Sequence, residues 1–255
     1  MRYYERKLDL IRAWVPRRTE TDNFYYPLTA RNRRDLSSLI SLVCGCAPQI
    51  VDGYLQELAA DSALRTHIGS IIARDPALAD VKIDFGRREG WYAFTRILKP
   101  ALVVETGVHH GIGACVLTAA LARNTAEGHP GRYVGTDIDP AAGRLLAGEY
   151  VKFGEVHYGD SLASLARLDG PISLFINDSD HSAEYEAREY EAVASILASV
   201  SVVLGDNSHA TPALSDFSRA HGRPFVFFKE EPEGHWYPGA GIGISPSAVP
   251  LVARR

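Results

Sequence analysis

The chain has 255 residues, 46% of them hydrophobic, enough for one sizeable core with an added subdomain. Its formal net charge of −4 gives no basic footprint, so nucleic acid is not expected as a partner. The opening MRYYERKLDL is charged and lacks an apolar signal segment, and no apolar run is long enough to cross a bilayer, so neither secretion nor a membrane is expected.

The first part of the chain reads as helical and irregular. Apolar residues recur at helical spacing over 34–43, 49–60 and 62–74, and Pro16, Pro27, Pro48 and Pro76 punctuate them. Cys44 and Cys46 are too close together, and too isolated from other ligand types, for a zinc site; with Cys115 they suit a reducing, cytoplasmic setting. From about Arg87 the texture changes. A helix is expected over 89–98, ending before Pro100, with Arg87 and Arg88 capping it or facing solvent. Strand-like runs then follow at 102–105, 133–136, 155–158, 172–176, 201–204, 225–228 and 241–244. Helices are expected between them at 111–123, 140–150, 161–168, 183–199 and 211–221, the last with Thr211 as N-cap and Pro212 at its first position. This alternation predicts an α/β fold: a Rossmann-like, seven-stranded, mostly parallel sheet with helices on both faces. The last two strands are too close for a crossover helix, so the last should run antiparallel. Residues 1–85 would form a helical extension, either a cap or a dimer surface, and 86–255 the main domain.

The most informative segment is ALVVETGVHHGIG, residues 101–113. A strand, a glycine-rich turn and a helix in that order bring backbone N–H groups to a ligand, and Gly107 and Gly111 let a nucleotide-like ligand come close. In an open parallel sheet, ligands bind beyond the carboxyl ends of the strands. Every one of the first five ends offers an acid: Glu105, Asp137 with Asp139, Asp160, Asp178 with Asp180, and Asp206. Asp137 suits a ribose diol, or an Asx-turn before Pro140. Asp160 could accept from an adenine amino group or cap the helix starting at Ser161, or do both. Val116 occupies the third glycine position of a dinucleotide fingerprint, which disfavours a nicotinamide enzyme.

Glu105-x-Gly107-x-x-x-Gly111 resembles motif I of class I S-adenosylmethionine-dependent methyltransferases. YVGTDID at 133–139 and YGDS at 158–161 are similar to the next two motifs of that family. INDSDHS at 176–182, followed by Val203-Leu204-Gly205-Asp206-Asn207, resembles its divalent-metal-dependent O-methyltransferase branch, which includes catechol O-methyltransferase and the macrolide-sugar O-methyltransferases. The resemblance implies that Glu105 and Gly107, with Gly111 in the same motif, line the methionine part of the cofactor. It implies that Asp137 holds the ribose, that Asp160 and Ser161 lie beside the adenine, and that Asp178, Asp206 and Asn207 ligate Mg²⁺ or another divalent cation. His181 falls where the sugar enzymes have a histidine and the catechol enzyme a lysine. The Asp206-Asn207 pair follows the catechol branch rather than the sugar branch, which leaves the substrate class open.

The chemistry implied is in-line methyl transfer to a hydroxyl of a small metabolite, plausibly a sugar or phenol from natural-product biosynthesis. A hard cation would stabilise the developing oxyanion, with Asp178 and His181 as the catalytic pair and His181 taking the proton. Plainer readings compete: Asp178, Ser179 and Asp180 could cap the next helix, and Asp206-Asn207 could be an ordinary turn. His109 and His110 could meet cofactor or substrate, His209 could be a second base, and the aromatics of 234–239 could shape a substrate pocket or pin the hairpin. Other classes remain: a non-methylating enzyme on the same scaffold (a hydroxylation or cyclisation), or a non-catalytic partner subunit. A homodimer is an open possibility.

Overall fold

The computed structural model describes residues 2–17 and 24–248, so the ends of both expected segments lie partly outside the described residues. Four helices come first: α1 (Arg2–Trp14), α2 (Ala30–Cys44), α3 (Pro48–Ala59) and α4 (Ser62–Ile72). The sequence reading had not separated α1. Thr29 caps α2 by accepting from the Asn32 N–H at 3.2 Å, and Asp61 caps α4 by accepting from the Leu64 N–H at 2.9 Å. Next come α5 (Arg88–Leu98), β1 (Leu102–Thr106), α6 (Ile112–Ala126), β2 (Arg132–Asp137), β3 (Gly154–Tyr158) and α7 (Ser161–Leu165). The chain closes with β4 (Ile172–Asn177), α8 (Ala183–Ala194), β5 (Leu197–Asp206), α9 (Ala213–Ala220), β6 (Val226–Lys229) and β7 (Gly241–Pro246).

The sheet has seven strands in the order β3-β2-β1-β4-β5-β7-β6. All neighbours pair parallel except β7, which is antiparallel to both β5 and β6, as the short final connection required. Strand order reverses between β1 and β4, and a crevice opens at their carboxyl ends. Strand alternation sends successive residues to opposite faces: Val103 joins the core with α2, α3, α5 and α6, while Leu102 and Val104 join the core with α8 and α9. The N-terminal helices pack into the same core as the sheet, through Leu36, Ile40, Val51 and Leu55 against Trp91 and Phe94 of α5.

Three expected elements differ, each for a local reason. Residues 140–150 form turns rather than a helix. The Gly143 N–H donates to His109 O at 2.7 Å and the Leu145 N–H to His110 O at 3.0 Å, so this segment satisfies the glycine loop instead of itself. The helix expected over 183–199 stops at Ala194, because the chain from Leu197 pairs with Ile172 and extends β5 backwards across a bulge in the register. The helix expected over 211–221 begins at Ala213. Pro212 takes the cap position, and Thr211 Oγ1 accepts from the Ala213 N–H at 3.3 Å.

Candidate cofactor and catalytic site

The crevice is a cavity of about 890 Å³ at the carboxyl edge of the sheet. The glycine loop forms its floor. Gly107 has φ 82°, and a Cβ there would collide with the carbonyl oxygen of Asp178, so only glycine lets the β1 and β4 ends approach this closely. Asp137 ties the loop down. Its Oδ2 accepts from the N–H groups of Val108 (2.9 Å) and His109 (2.8 Å), and its Oδ1 from the Asp139 N–H at 2.9 Å. Asp137 therefore makes the Asx-turn and still lines the cavity.

Asp160 also has a local role. Its Oδ1 accepts from the Ala163 N–H at 2.9 Å, capping α7, and the Tyr185 hydroxyl donates to its Oδ2 at 3.0 Å. Those two bonds, the backbone one first, hold its carboxyl below the usual range. Ser161 lies beside it, 2.9 Å from the Tyr185 hydroxyl, and both residues line the cavity. Beneath them sits a group that the sequence reading missed. Glu189 of α8 is fully buried and accepts from Ser179 Oγ at 2.7 Å, Thr106 Oγ1 at 3.2 Å, and from Ser161 and Asn177. It joins the ends of β1, β3 and β4. No motif marks it, since an acid in the middle of a helix normally reads as solvated.

Glu105 and Gly111 do not line the cavity, contrary to the expected contact with the methionine part. Glu105 is 1% exposed and turned into the protein, where it accepts from the Tyr133 hydroxyl in space that exists because residue 113 is glycine. Burial pushes its carboxyl up to about 8, against the opposing pull of the Tyr133 bond and Arg88. Gly111 sits behind the loop as the N-cap of α6.

At the other end of the cavity Asp178, His181 and Asp206 converge, with ligating atoms within 4.8 Å of one another. Asp178 and His181 line the cavity together with Asn207, whose φ of 53° is one that asparagine tolerates. His181 Nε2 lies 3.7 Å from Asp178 Oδ1 and 3.3 Å from Asn207 Nδ2. Its Nδ1 lies 3.4 Å from Glu186 Oε1, and Glu186 is 1% exposed in the first turn of α8. That bond, ahead of the nearby acids, raises the imidazole above its ordinary range despite partial burial. Asp180 also lines the cavity and accepts from the Ser182 N–H at 2.8 Å, a local turn just before α8, whose cap residue is Ser182.

Asp206 is 1% exposed and forms no part of the cavity wall. The Arg87 guanidinium takes it: Nη2 donates to Oδ2 at 2.7 Å and Nε lies against Oδ1. Arg87 is itself 3% exposed, next to Glu230 and Tyr26. The expectation that Arg87 and Arg88 cap a helix or face solvent is thus corrected, since both are buried. Asp178 has no guanidinium bonded to it among the described residues, and its ion-pair contact is His181 Nε2 at 3.7 Å. Burial, and next the Asp206 carboxylate, push its carboxyl well above the usual range, although 15% of the side chain stays exposed.

His209 and the 234–239 segment lie away from the cavity. Trp236 stacks on Trp14 of α1 with centroids 4.1 Å apart, and Tyr237 and His235 pack near Tyr26, so these aromatics pin the hairpin to the N-terminal segment. His109 lines the cavity with Phe24, their rings 5.1 Å apart, and so does His110.

Residues 104–208 match a family model described as a methyltransferase domain (Methyltransf_24). No curated protein matches the chain. Among solved structures, the S-adenosylhomocysteine-bound methyltransferase PaMTH1 of Podospora anserina is similar over 74% of this chain and 88% of its own, with 16% identity and TM-score 0.52. The O-methyltransferase TomG of Streptomyces achromogenes, involved in tomaymycin synthesis and solved with S-adenosylmethionine, gives 16% identity over 74% and 91% of the two chains, with TM-score 0.54. A methyltransferase from Geobacter sulfurreducens gives 18% identity over 77% and 96%, with TM-score 0.53. At such identities these likenesses speak for the fold, and the domain match speaks for the activity. The glycine loop at the head of the β3-β2-β1-β4-β5-β7-β6 sheet lies inside the residues that match the methyltransferase domain.

Proposed function

We propose that the chain is an O-methyltransferase, moving the methyl group of S-adenosylmethionine to a hydroxyl of a small metabolite, a sugar or phenol of natural-product type, with help from Mg²⁺ or another divalent cation. The observation that carries this reading is the convergence of Asp178, His181 and Asp206 at one end of the cavity. In this reading Asp137 meets the ribose, Asp160 and Ser161 flank the adenine, and Gly107 shapes the floor under the methionine part, with Gly111 and Glu105 behind it. Asp178, Asp206 and Asn207 would hold the cation.

The donor set fits such an ion. The ligands are hard oxygens, and burial first, then the Asp206 carboxylate, raises the Asp178 carboxyl, a cost that a bound divalent cation would offset. When bound, the cation would supply charge stabilisation for a developing alkoxide or phenolate. His181 accepts the hydroxyl proton at Nε2, and Glu186 at Nδ1 orients the ring and supports the imidazolium that results. The cavity would serve to hold acceptor and methyl donor in line.

A second reading draws on Arg87. Its guanidinium already occupies both Asp206 oxygens, which favours a site where His181 acts with a weakly held cation or none. Calorimetric titration with S-adenosylhomocysteine, with Mg²⁺ and after EDTA, followed by mass detection of methylated diols, separates the two. Metal-sensitive binding and turnover support the first reading, and metal-independent turnover the second. A product lacking the added methyl group overturns both.

The N-terminal helices are proposed as a cap over the substrate side and as a dimer surface. The dimer role is supported by exposed Tyr4, Leu8 and Ile11, which follow one another along one face of α1, with exposed Val15 just past its end. Among the described residues, no helix is long and apolar enough to cross a membrane.

A further inference from the structure

α5 begins with two consecutive arginines, Arg87 and Arg88, at the end of the helix where the backbone dipole is positive. A buried cation there is unfavourable unless something negative meets it. Arg87 is met by Asp206 and Glu230. Arg88 is 7% exposed, and no carboxylate among the described residues forms an ion pair with it. Its Nη1 donates to Phe24 O at 3.1 Å, its guanidinium carbon lies 5.4 Å from the Trp91 ring centroid, and its Nε has no hydrogen-bond partner. The same side chain lines the cavity that Gly107 and Asp178 also line.

The other charges of the cavity wall frame this residue. Asp137, Asp139, Asp160, Asp178 and Asp180 are acids, and Arg144 is 42% exposed and paired with Asp75 at 2.9 Å. Arg88 is therefore a buried cation of a mainly acidic pocket that has no ion-pair partner among the described residues, Glu105 and Asp178 feeling its charge from farther off. S-adenosylmethionine carries one anionic group, the carboxylate of its methionine part, alongside an ammonium and a sulfonium. Carboxylate and guanidinium match in charge and in planar, two-pronged geometry.

We propose that Arg88 is the receptor for the cofactor carboxylate: the structure sets this guanidinium, nine-tenths buried and with an unpartnered Nε, into the wall of the cavity that Gly107 also lines. The inference rests on the cofactor reading above. It gives the two arginines separate tasks, Arg87 on the protein's own acids and Arg88 on the ligand.

The test compares S-adenosylhomocysteine with 5′-methylthioadenosine, which keeps the adenosine and thioether but lacks the amino-acid carboxylate. Calorimetry on wild type, Arg88→Met and Arg88→Lys reads both ligands. Arg88→Met should weaken S-adenosylhomocysteine binding about 10- to 100-fold and leave methylthioadenosine within about twofold. Arg88→Lys keeps the charge without the fork, so it should fold normally and show a smaller loss confined to S-adenosylhomocysteine. Equal losses for both ligands would assign Arg88 a structural role and overturn the proposal. So would unchanged S-adenosylhomocysteine binding in either folded variant. Failure of wild type to bind S-adenosylhomocysteine would instead overturn the cofactor reading itself, and this inference with it.

Discussion

His181 and Glu186 form a directed pair: ring Nδ1 faces Glu186 Oε1 at 3.4 Å, which leaves Nε2 turned toward Asp178 and Asn207 at the cavity. A buried acid behind an imidazole fixes its orientation and favours its protonated form. His181→Ala should lower kcat by about 10²- to 10⁴-fold with little change in S-adenosylhomocysteine affinity. The pH profile carries the finer prediction. Glu186 is the first cause of the raised imidazole, and the base form is needed for turnover, so activity falls as pH drops through that raised value. Glu186→Gln should move this limb of kcat to lower pH while lowering the plateau. An unmoved limb would sever the pair from catalysis.

Asp178 shows the tension between site and stability. Its carboxyl lies near Asp206 in a buried setting, while Arg87 is committed to Asp206 and Glu230. Removing the ionisable group relieves first the penalty of burying it and then the repulsion from Asp206 whenever no cation is bound. Asp178→Asn in EDTA should therefore be more stable than wild type at neutral pH, by about 1–3 kcal/mol. The same variant should lose any stabilisation by Mg²⁺ or Mn²⁺. Urea denaturation with and without metal measures both effects. A variant still stabilised by metal as wild type is would remove Asp178 from the cation site.

The strands were legible because a parallel sheet covered on both faces needs continuous apolar runs, and glycine, proline or acids end them: Leu102–Thr106 before Gly107, Ile172–Asn177 after Pro171. The acids of the strand ends were legible for the same reason, since the topology brings successive ends to one edge. What stayed hidden depends on distant partners. Arg87 looks like a solvated helix end until Asp206, 119 residues away, and Glu230, 143 residues away, fold onto it. Glu189 looks like a surface acid until four donors from three strand ends converge on it. The segment 140–150 has helix-like spacing, yet the backbone carbonyls of His109 and His110 draw its N–H groups away. Glu105 stands one residue before the end of β1, and strand alternation and the gap at Gly113 send its carboxylate to the protein side of the loop.

Gly107 offers a direct check on the loop geometry. Its φ of 82° disfavours any side chain, and an added Cβ would strike the Asp178 carbonyl oxygen. That oxygen belongs to backbone, so no rotamer change relieves the clash, and β1 and β4 must separate. Gly107→Ala should cost about 2 kcal/mol or more and abolish S-adenosylhomocysteine binding. Gly128, also at positive φ (87°) but with open space around it, is the control: alanine there should cost less and leave binding intact. Thermal melts and calorimetry on the pair distinguish a loop-specific effect from a general intolerance of lost glycine.

Glu105 gives a pH dependence of stability whose sign is fixed by its surroundings. Burial lifts its carboxyl from 4.5 to about 8 in the folded protein. A raised folded value means that the fold prefers the protonated acid, so its contribution is fully present below the unfolded value and is lost as pH rises toward 8. Across that window the loss approaches about 1.4 kcal/mol per pH unit. Glu105→Gln keeps an acceptor for the Tyr133 hydroxyl and removes the titration. Its stability relative to wild type should therefore grow steadily between about pH 5 and 8 in guanidinium denaturation series. A difference that stays flat over this range would mean that Glu105 is ionised in the fold, with Arg88 as its counter-charge, and that Arg88 is then not available to a ligand carboxylate.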